Sequence, residues 1–162
     1  MKTAWFDMDG TIVAPRFRTR EGMRVGFPPA QWREFCRQAG FHAYADCLPV
    51  PPVVAFADEL KRLGYSTRIL TVTLSDEEKD AKRYWLNAHL DVRDRFDGII
   101  FAENPADKIR IIKAEHGQDR KPGSAVLIED DYNTLYLAMN AWIVPLHVSH
   151  ILTGTALPLL DR

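Results

Sequence analysis

The sequence predicts an α/β protein, a three-layer sandwich in which a mainly parallel sheet lies between two layers of helices. Short apolar stretches typical of strands alternate along the chain with patterns typical of helices, and this order favours parallel strands joined by crossovers. The strand-like stretches are continuously apolar, which indicates that both faces of the sheet are covered. The length of 162 residues is enough for one hydrophobic core.

The strands and helices are predicted from apolar runs and from end signals. The predicted strands cover residues 3–6, 67–72, 98–102, 125–128 and 141–148. Helices are predicted over 53–63, from Ser75 toward Leu90, from Pro105 onward and over 131–140. Ser75 and Glu78 form a capping-box pattern, and Asn104 followed by Pro105 is a typical helix start.

Composition excludes several classes of protein. Hydrophobic residues make up 46% and charged residues 27% of the chain, and the net charge of -1 gives no general reason to bind duplex nucleic acid or anionic membranes. The two cysteines, Cys36 and Cys47, are too few for a disulfide framework, and we expect both to be reduced. No apolar run approaches the roughly 18 residues of a membrane span, and the first strand leaves no room for a signal peptide, so we expect a cytoplasmic protein.

Two carboxylates follow the first predicted strand, at Asp7 and Asp9, and Gly10 and Thr11 come directly after them. A turn at Gly10 lets side chains two residues apart converge on one phosphate. One carboxylate can then attack phosphorus, while the other protonates the leaving oxygen and activates water. An Asp-Gly pair also simply favours turns. A calcium loop of the EF-hand type is excluded, because it needs glycine at its sixth position and further oxygen ligands.

Polar residues also follow the other predicted strands, where a parallel sheet places its ligand crevice. Hydroxyl groups at Thr71 or Thr73 could bind a phosphoryl oxygen, and an acidic group could hold Mg²⁺. Lys108, near the start of the third helix, could neutralise phosphate charge. The acidic residues are Glu129, Asp130 and Asp131.

Taken in chain order, these four motifs resemble those of the haloacid dehalogenase-like phosphohydrolase superfamily. The resemblance covers residues 1–13 and 53–150 and implies a Rossmann-like core with Mg²⁺ as cofactor. It implies Asp7 as the nucleophile, Asp9 as the acid and base, Thr71 as the phosphate-binding hydroxyl and Lys108 as the phosphate clamp. The metal ligands that it implies are Asp7, the main-chain carbonyl of Asp9, Asp130 and a further carboxylate.

The sequence departs from the superfamily pattern at two motifs. The further metal carboxylate could be Glu129 or Asp131, and we favour Glu129. Thr71 and Thr73 resemble the paired hydroxyls of deoxyribonucleotidase-like members, so Thr73 could share the phosphate. Alternatives remain for each motif: a strand position suits Thr71, acidic residues often cap helices, and Lys82 or Lys113 could replace Lys108.

Residues 14–50 do not fit the alternation of strands and helices. We expect them to form a small helical cap over a core made of residues 1–13 and 51–162. The segment has six arginines against three acids and six aromatic residues. Arginine suits phosphate and aromatic rings suit bases, although aromatic residues also build cores. We expect Arg18, Arg20, Gly10 and Thr73 to contact the substrate.

The sequence therefore predicts a Mg²⁺-dependent phosphomonoesterase that works through an aspartyl-phosphate and acts on a small phosphorylated substrate, a 5'- or 3'-nucleotide. The resemblance is closest to deoxyribonucleotidases and polynucleotide 3'-phosphatases, so a 3'-phosphatase acting on nucleic-acid ends is the alternative. A protein with this fold that binds a nucleotide or a partner without hydrolysis is a third reading.

Overall fold

The computed structural model describes residues 2–116 and 123–160. Its strands are β1 (Lys2–Phe6), β2 (Val13–Ala14), β3 (Phe17–Thr19), β4 (Gly22–Arg24), β5 (Leu48–Pro49), β6 (Tyr65–Val72), β7 (Ile99–Ala102), β8 (Ala125–Glu129) and β9 (Val144–His147). Its α-helices are α1 (Pro29–Ala39), α2 (Pro51–Arg62), α3 (Asp76–His89), α4 (Val92–Arg95), α5 (Pro105–His116), α6 (Tyr132–Asn140), α7 (Val148–Leu152) and α8 (Leu157–Leu160). A 3-10 turn covers Gly40–His42.

The central sheet has five parallel strands in the order β7-β6-β1-β8-β9. Alternate side chains of β1 enter two separate cores: Ala4 and Phe6 pack on one face with residues of α2 and α3, and Trp5 packs on the other with residues of α5 and α6. Burial on both faces is the reason that the strands read as continuously apolar. The predicted three-layer α/β sandwich is confirmed.

The order of the strands determines where a ligand can bind. The chain runs from β1 outward through β6 to β7, and then returns to the other side of β1 for β8 and β9. This reversal opens a crevice at the carboxyl ends of β1 and β8, which is the usual ligand position in such sheets. Asp7 directly follows β1, and Glu129 ends β8.

The predicted elements lie close to the observed ones, with β9 as the main exception. We predicted a strand over 141–148, but β9 covers only Val144–His147. Trp142 adopts a positive φ of 64° in the turn before it, and Val148 begins α7. A bulky residue in the left-handed region cannot continue a strand, and sequence periodicity does not show this.

The segment expected to form a cap leaves the core and returns to it through the antiparallel pair of β2 and β5. Between these strands lie the β3–β4 hairpin, α1 and the 3-10 turn, so the segment contains a hairpin that we did not predict. Aromatic residues hold it together: Phe17 packs against Trp32 with ring centroids 4.7 Å apart and against Tyr44 at 5.5 Å. Trp85 of α3 ties the segment to the core, because its Nε1 donates to the Cys47 carbonyl at 3.2 Å.

Candidate active site

The turn after β1 places the first acidic residues. The amide of Asp7 donates to the carbonyl of Ile128 at 2.9 Å, so Asp7 still follows the sheet although β1 has ended. The chain then turns tightly, since the amides of Val13 and Gly10 donate to Met8 and Val13 carbonyls, each at 2.9 Å. Asp7 is buried within the crevice as a result.

Gly10 has a structural reason to be glycine. Its φ is +76°, and a Cβ at this position would lie 2.0 Å from Oδ2 of Asp130. No side chain fits at that distance, and positive φ strains residues other than glycine. Gly10, which we expected to contact substrate, therefore allows the carboxylate of Asp130 to approach the turn after β1.

Three carboxylates meet in the crevice. Asp7, Glu129 and Asp130 each offer one oxygen within 4.8 Å of the others. Oxygen ligands of this kind suit Mg²⁺, a hard cation that also keeps water and phosphate ligands. The donor set therefore fits the cation that the sequence predicted.

Lys108 lies against this acidic group. Its Nζ donates to Oδ1 of Asp7 at 2.5 Å and to Oε2 of Glu129 at 2.6 Å. Burial alone would lower the pKa of Lys108, but the charges of Asp7 and Glu129 outweigh it and raise the pKa. Burial also raises the pKa of Asp7 and of Glu129 to about 7, against the opposing effect of Lys108. A further cation at this site would favour the ionised carboxylates.

A second buried lysine, Lys82 of α3, holds the other carboxylate of the first motif. Its Nζ lies 2.8 Å from Oδ2 of Asp9 and 3.1 Å from Oε1 of Glu78. The same ammonium donates to the Thr71 hydroxyl at 2.9 Å and to the Val72 carbonyl at 2.6 Å. Burial alone would lower the pKa of Lys82, but the charges of Asp9 and Glu78 raise it.

From the sequence we considered Lys82 only as an alternative to Lys108. In the structure both lysines lie in the site, where they contact different carboxylates. Glu78 was identified only as a capping residue, and it does accept from the Leu74 amide at 2.8 Å. Its spacing of four residues from Lys82 is the one sequence signal for this pair. That spacing is also common on exposed helix faces, where it has no catalytic meaning.

The remaining predicted residues are placed as follows. Thr71 is buried in β6, and Thr73 lies half-buried just beyond the strand, where its amide donates to the Ala102 carbonyl at 3.0 Å. Asp131 caps α6, because its Oδ2 accepts from the Thr134 amide at 2.9 Å and hydroxyl at 2.6 Å. Lys113 is exposed on α5.

Arg18 and Arg20 are not among the residues that line the cavity beside Asp9. Both line an open groove between the β3–β4 hairpin and α1, with a volume of about 1090 Å³. Arg18 is also paired with Asp46 at 2.9 Å. Phe27 belongs both to this groove and to a smaller cavity beside the site.

The smaller cavity has a volume of about 170 Å³ and lies between residues 14–50, the segment expected to form a cap, and the first motif. Asp9 forms part of its wall, and the other lining residues are Pro15, Phe17, Gly26, Phe27, Trp32 and Tyr44. Aromatic rings therefore face the side of the site on which Asp9 lies. We did not predict this cavity from the sequence, because its lining residues are not consecutive in the chain.

Comparison with known proteins supports the fold. Neither the scan of protein-family models nor the search of curated proteins found a match. Among solved structures, the chain is similar to a D,D-heptose 1.7-bisphosphate phosphatase from B. bronchiseptica, which was crystallised with magnesium and phosphate. The TM-score is 0.53 with 13% identity, and the match covers 95% of this chain and 87% of that protein. Such a likeness shows a shared fold.

The helices within residues 2–116 and 123–160 include none long and apolar enough to cross a membrane.

Proposed function

We propose that this protein is a Mg²⁺-dependent phosphomonoesterase of the haloacid dehalogenase-like superfamily. The observation that carries the proposal is the position of Asp7, whose carboxylate lies in one cluster with Glu129 and Asp130 and accepts from Lys108. Catalysis of phosphoryl transfer depends mainly on the position of the nucleophile and on cationic groups that stabilise the charge of the transition state. The motif order and the fold shared with a magnesium-bound phosphatase support the same assignment.

The roles that we propose are those that the resemblance implies, and the positions of the residues support them. Asp7 attacks phosphorus, and the bond from phosphorus to the leaving oxygen breaks. Asp9 enters this step protonated on Oδ1, with Oδ2 still held by Lys82, and gives that proton to the leaving oxygen. In the second step it recovers a proton from the water that hydrolyses the aspartyl-phosphate. Lys108 and Lys82 hold positive charge against the two carboxylates and stabilise the charge that develops on the phosphoryl oxygens.

The residues that would hold Mg²⁺ are Asp7, Glu129 and Asp130, with the main-chain carbonyl of Asp9 as the further ligand that the resemblance implies. When bound, Mg²⁺ neutralises phosphate charge and orients the phosphoryl group. Asp131 does not join this set in our proposal, because its Oδ2 already caps α6 through Thr134.

Aromatic rings line the smaller cavity, which supports a substrate that contains a ring, and we propose a nucleotide. An acid that protonates the leaving group must lie beside it, and Asp9, to which we give this role, lines the cavity. Its volume of about 170 Å³ is below the roughly 300 Å³ at which drug-sized sites begin, so it suits one ring system better than a whole nucleotide. Arg18 and Arg20 in the neighbouring groove would face more distant parts of the substrate.

Phosphate release from a panel of esters tests this proposal. The panel contains 5'- and 3'-mononucleotides, a 3'-phosphorylated oligonucleotide and sugar phosphates, each measured with Mg²⁺ and with a chelator. We expect Mg²⁺-dependent release with mononucleotides preferred over sugar phosphates. Preference for the oligonucleotide would favour action on nucleic-acid ends, and tight nucleotide binding without release from any ester would favour a non-catalytic protein.

The location of the protein in the cytoplasm stays a prediction, which the distribution of the tagged full chain in cells would test.

A further inference from the structure

One buried hydroxyl group of the cap segment has no partner. Tyr44 is 1% exposed, and its hydroxyl makes no hydrogen bond. Leaving a buried hydroxyl unsatisfied costs roughly 1–3 kcal/mol, so each such group calls for an explanation. Tyr44 also packs edge-on against Phe17 and Trp32, which hold its ring in place.

A second unpartnered atom lies next to it. Oδ2 of Asp9 is held by Lys82 at 2.8 Å, but Oδ1 of the same carboxylate is buried with no hydrogen-bond partner. Asp9 and Tyr44 both line the small aromatic cavity, and they lie side by side without a well-formed hydrogen bond between them. Tyr44 and Asp9 thus line one cavity, and each carries a buried oxygen that lacks a well-formed hydrogen bond.

A third oxygen that binds between the Tyr44 hydroxyl and Oδ1 of Asp9 would give each of them a hydrogen-bond partner. A tyrosine hydroxyl is protonated at neutral pH, so Tyr44 can act as a hydrogen-bond donor. An ester oxygen that leaves phosphorus needs a proton and gains negative charge, which is what this pair of groups can supply and stabilise.

We infer that Tyr44 is a catalytic residue contributed by the cap segment, whose hydroxyl donates a hydrogen bond to the leaving-group oxygen while Asp9 protonates it. The inference rests on the proposed phosphomonoesterase function. As the phosphorus–oxygen bond breaks and Asp7 bonds to phosphorus, the Asp9 proton moves to the leaving oxygen. Tyr44 keeps its own proton, and the product alcohol is hydrogen-bonded to Tyr44 and Asp9 until it leaves the site. The cap would then take part in the chemistry besides selecting substrates.

The Tyr44→Phe variant tests this role, because it removes only the hydroxyl. The rate on a nucleoside monophosphate, whose leaving alkoxide needs help, is compared with the rate on p-nitrophenyl phosphate, whose leaving group is stable by itself. We expect kcat/KM to fall about tenfold or more on the nucleotide and by less than about twofold on p-nitrophenyl phosphate. The matched control is Tyr136→Phe, an exposed tyrosine on α6, which should change neither rate.

The melting temperature separates catalysis from packing. Since the Tyr44 hydroxyl has no partner, its removal should leave the melting temperature unchanged or raise it. An equal loss on both esters, or no loss on either, would overturn the inference while leaving the proposed function intact. A wild-type protein that releases phosphate from neither ester would overturn the proposed function and this inference with it.

Discussion

Gly10 shows how one residue controls the acidic site. Its positive φ and the approach of Asp130 both exclude a side chain. Gly64 is a natural reference, because its φ of +81° is similar but a Cβ there would meet nothing within 4 Å. A comparison of alanine variants at the two glycines therefore separates the effect of backbone strain from the effect of contact with the Asp130 carboxylate.

We expect Gly10→Ala to lower the free energy of unfolding by more than Gly64→Ala, which should cost only the roughly 1–2 kcal/mol of left-handed strain. Gly10→Ala should also weaken Mg²⁺ binding, because Asp130 must move away from the added methyl group. Urea unfolding and titration calorimetry with Mg²⁺ measure the two effects. Equal destabilisation and equal Mg²⁺ affinity in the two variants would show that Asp130 does not restrict the residue at position 10.

Loss of Lys82 should lower the free energy of unfolding, because its ammonium is buried against two carboxylates. Lys82→Met leaves the carboxylates of Asp9 and Glu78 without their cation, and breaking a buried pair in this way typically costs about 3–5 kcal/mol. Lys113→Met, at an exposed position of α5, should cost less than about 0.5 kcal/mol. Urea unfolding of both variants checks this. A loss at Lys82 no larger than the loss at Lys113 would show that the buried lysine is not needed.

Helix α6 separates two neighbouring acids into different roles. Asp131 caps the helix through Thr134, and Asp130 belongs to the acidic cluster. Asp131→Ala should lower the free energy of unfolding by about 1 kcal/mol and leave the thermal shift caused by Mg²⁺ in place. Asp130→Ala should remove most of that shift. Thermal unfolding of both variants with and without Mg²⁺ measures this, and loss of the shift in Asp131→Ala would make Asp131 the ligand.

The elements also show what a sequence can and cannot reveal. β1 and β8 are predictable, since strands buried on both faces are apolar throughout. The β3–β4 hairpin escapes prediction, because it is short and every residue of β4 is exposed, so it has no apolar period. The Glu78–Lys82 pair has an ordinary helical spacing, and only the packing of α3 against Asp9 makes it part of a site.

The whole molecule concentrates negative charge at one edge of its sheet. Within residues 2–116 and 123–160, Asp7, Asp9, Glu78, Glu129 and Asp130 gather around two ammonium groups, those of Lys82 and Lys108. The excess of carboxylates predicts that a divalent cation stabilises the folded protein. Polar residues at strand ends were predictable from the sequence, whereas the pairing of each carboxylate with its own lysine depends on how α3 and α5 pack.

We expect Mg²⁺ to raise the melting temperature of the whole protein, because a ligand that binds only the folded state at about 100 times its Kd adds about 2.7 kcal/mol. Differential scanning calorimetry across a MgCl₂ series measures the shift, and NaCl at matched ionic strength is the control. A rise no greater than that in NaCl would show that the acidic cluster does not bind this cation.

In the proposed reaction Asp7 attacks phosphorus, and phosphate release by Asp7→Asn in saturating Mg²⁺ tests this most directly. An amide cannot form the aspartyl-phosphate, yet it has nearly the same shape as the carboxylate. We predict a rate at the level of the uncatalysed background on an ester that the wild type hydrolyses, with the melting transition still cooperative. Release by Asp7→Asn within about twofold of the wild-type rate would show that Asp7 is not the nucleophile.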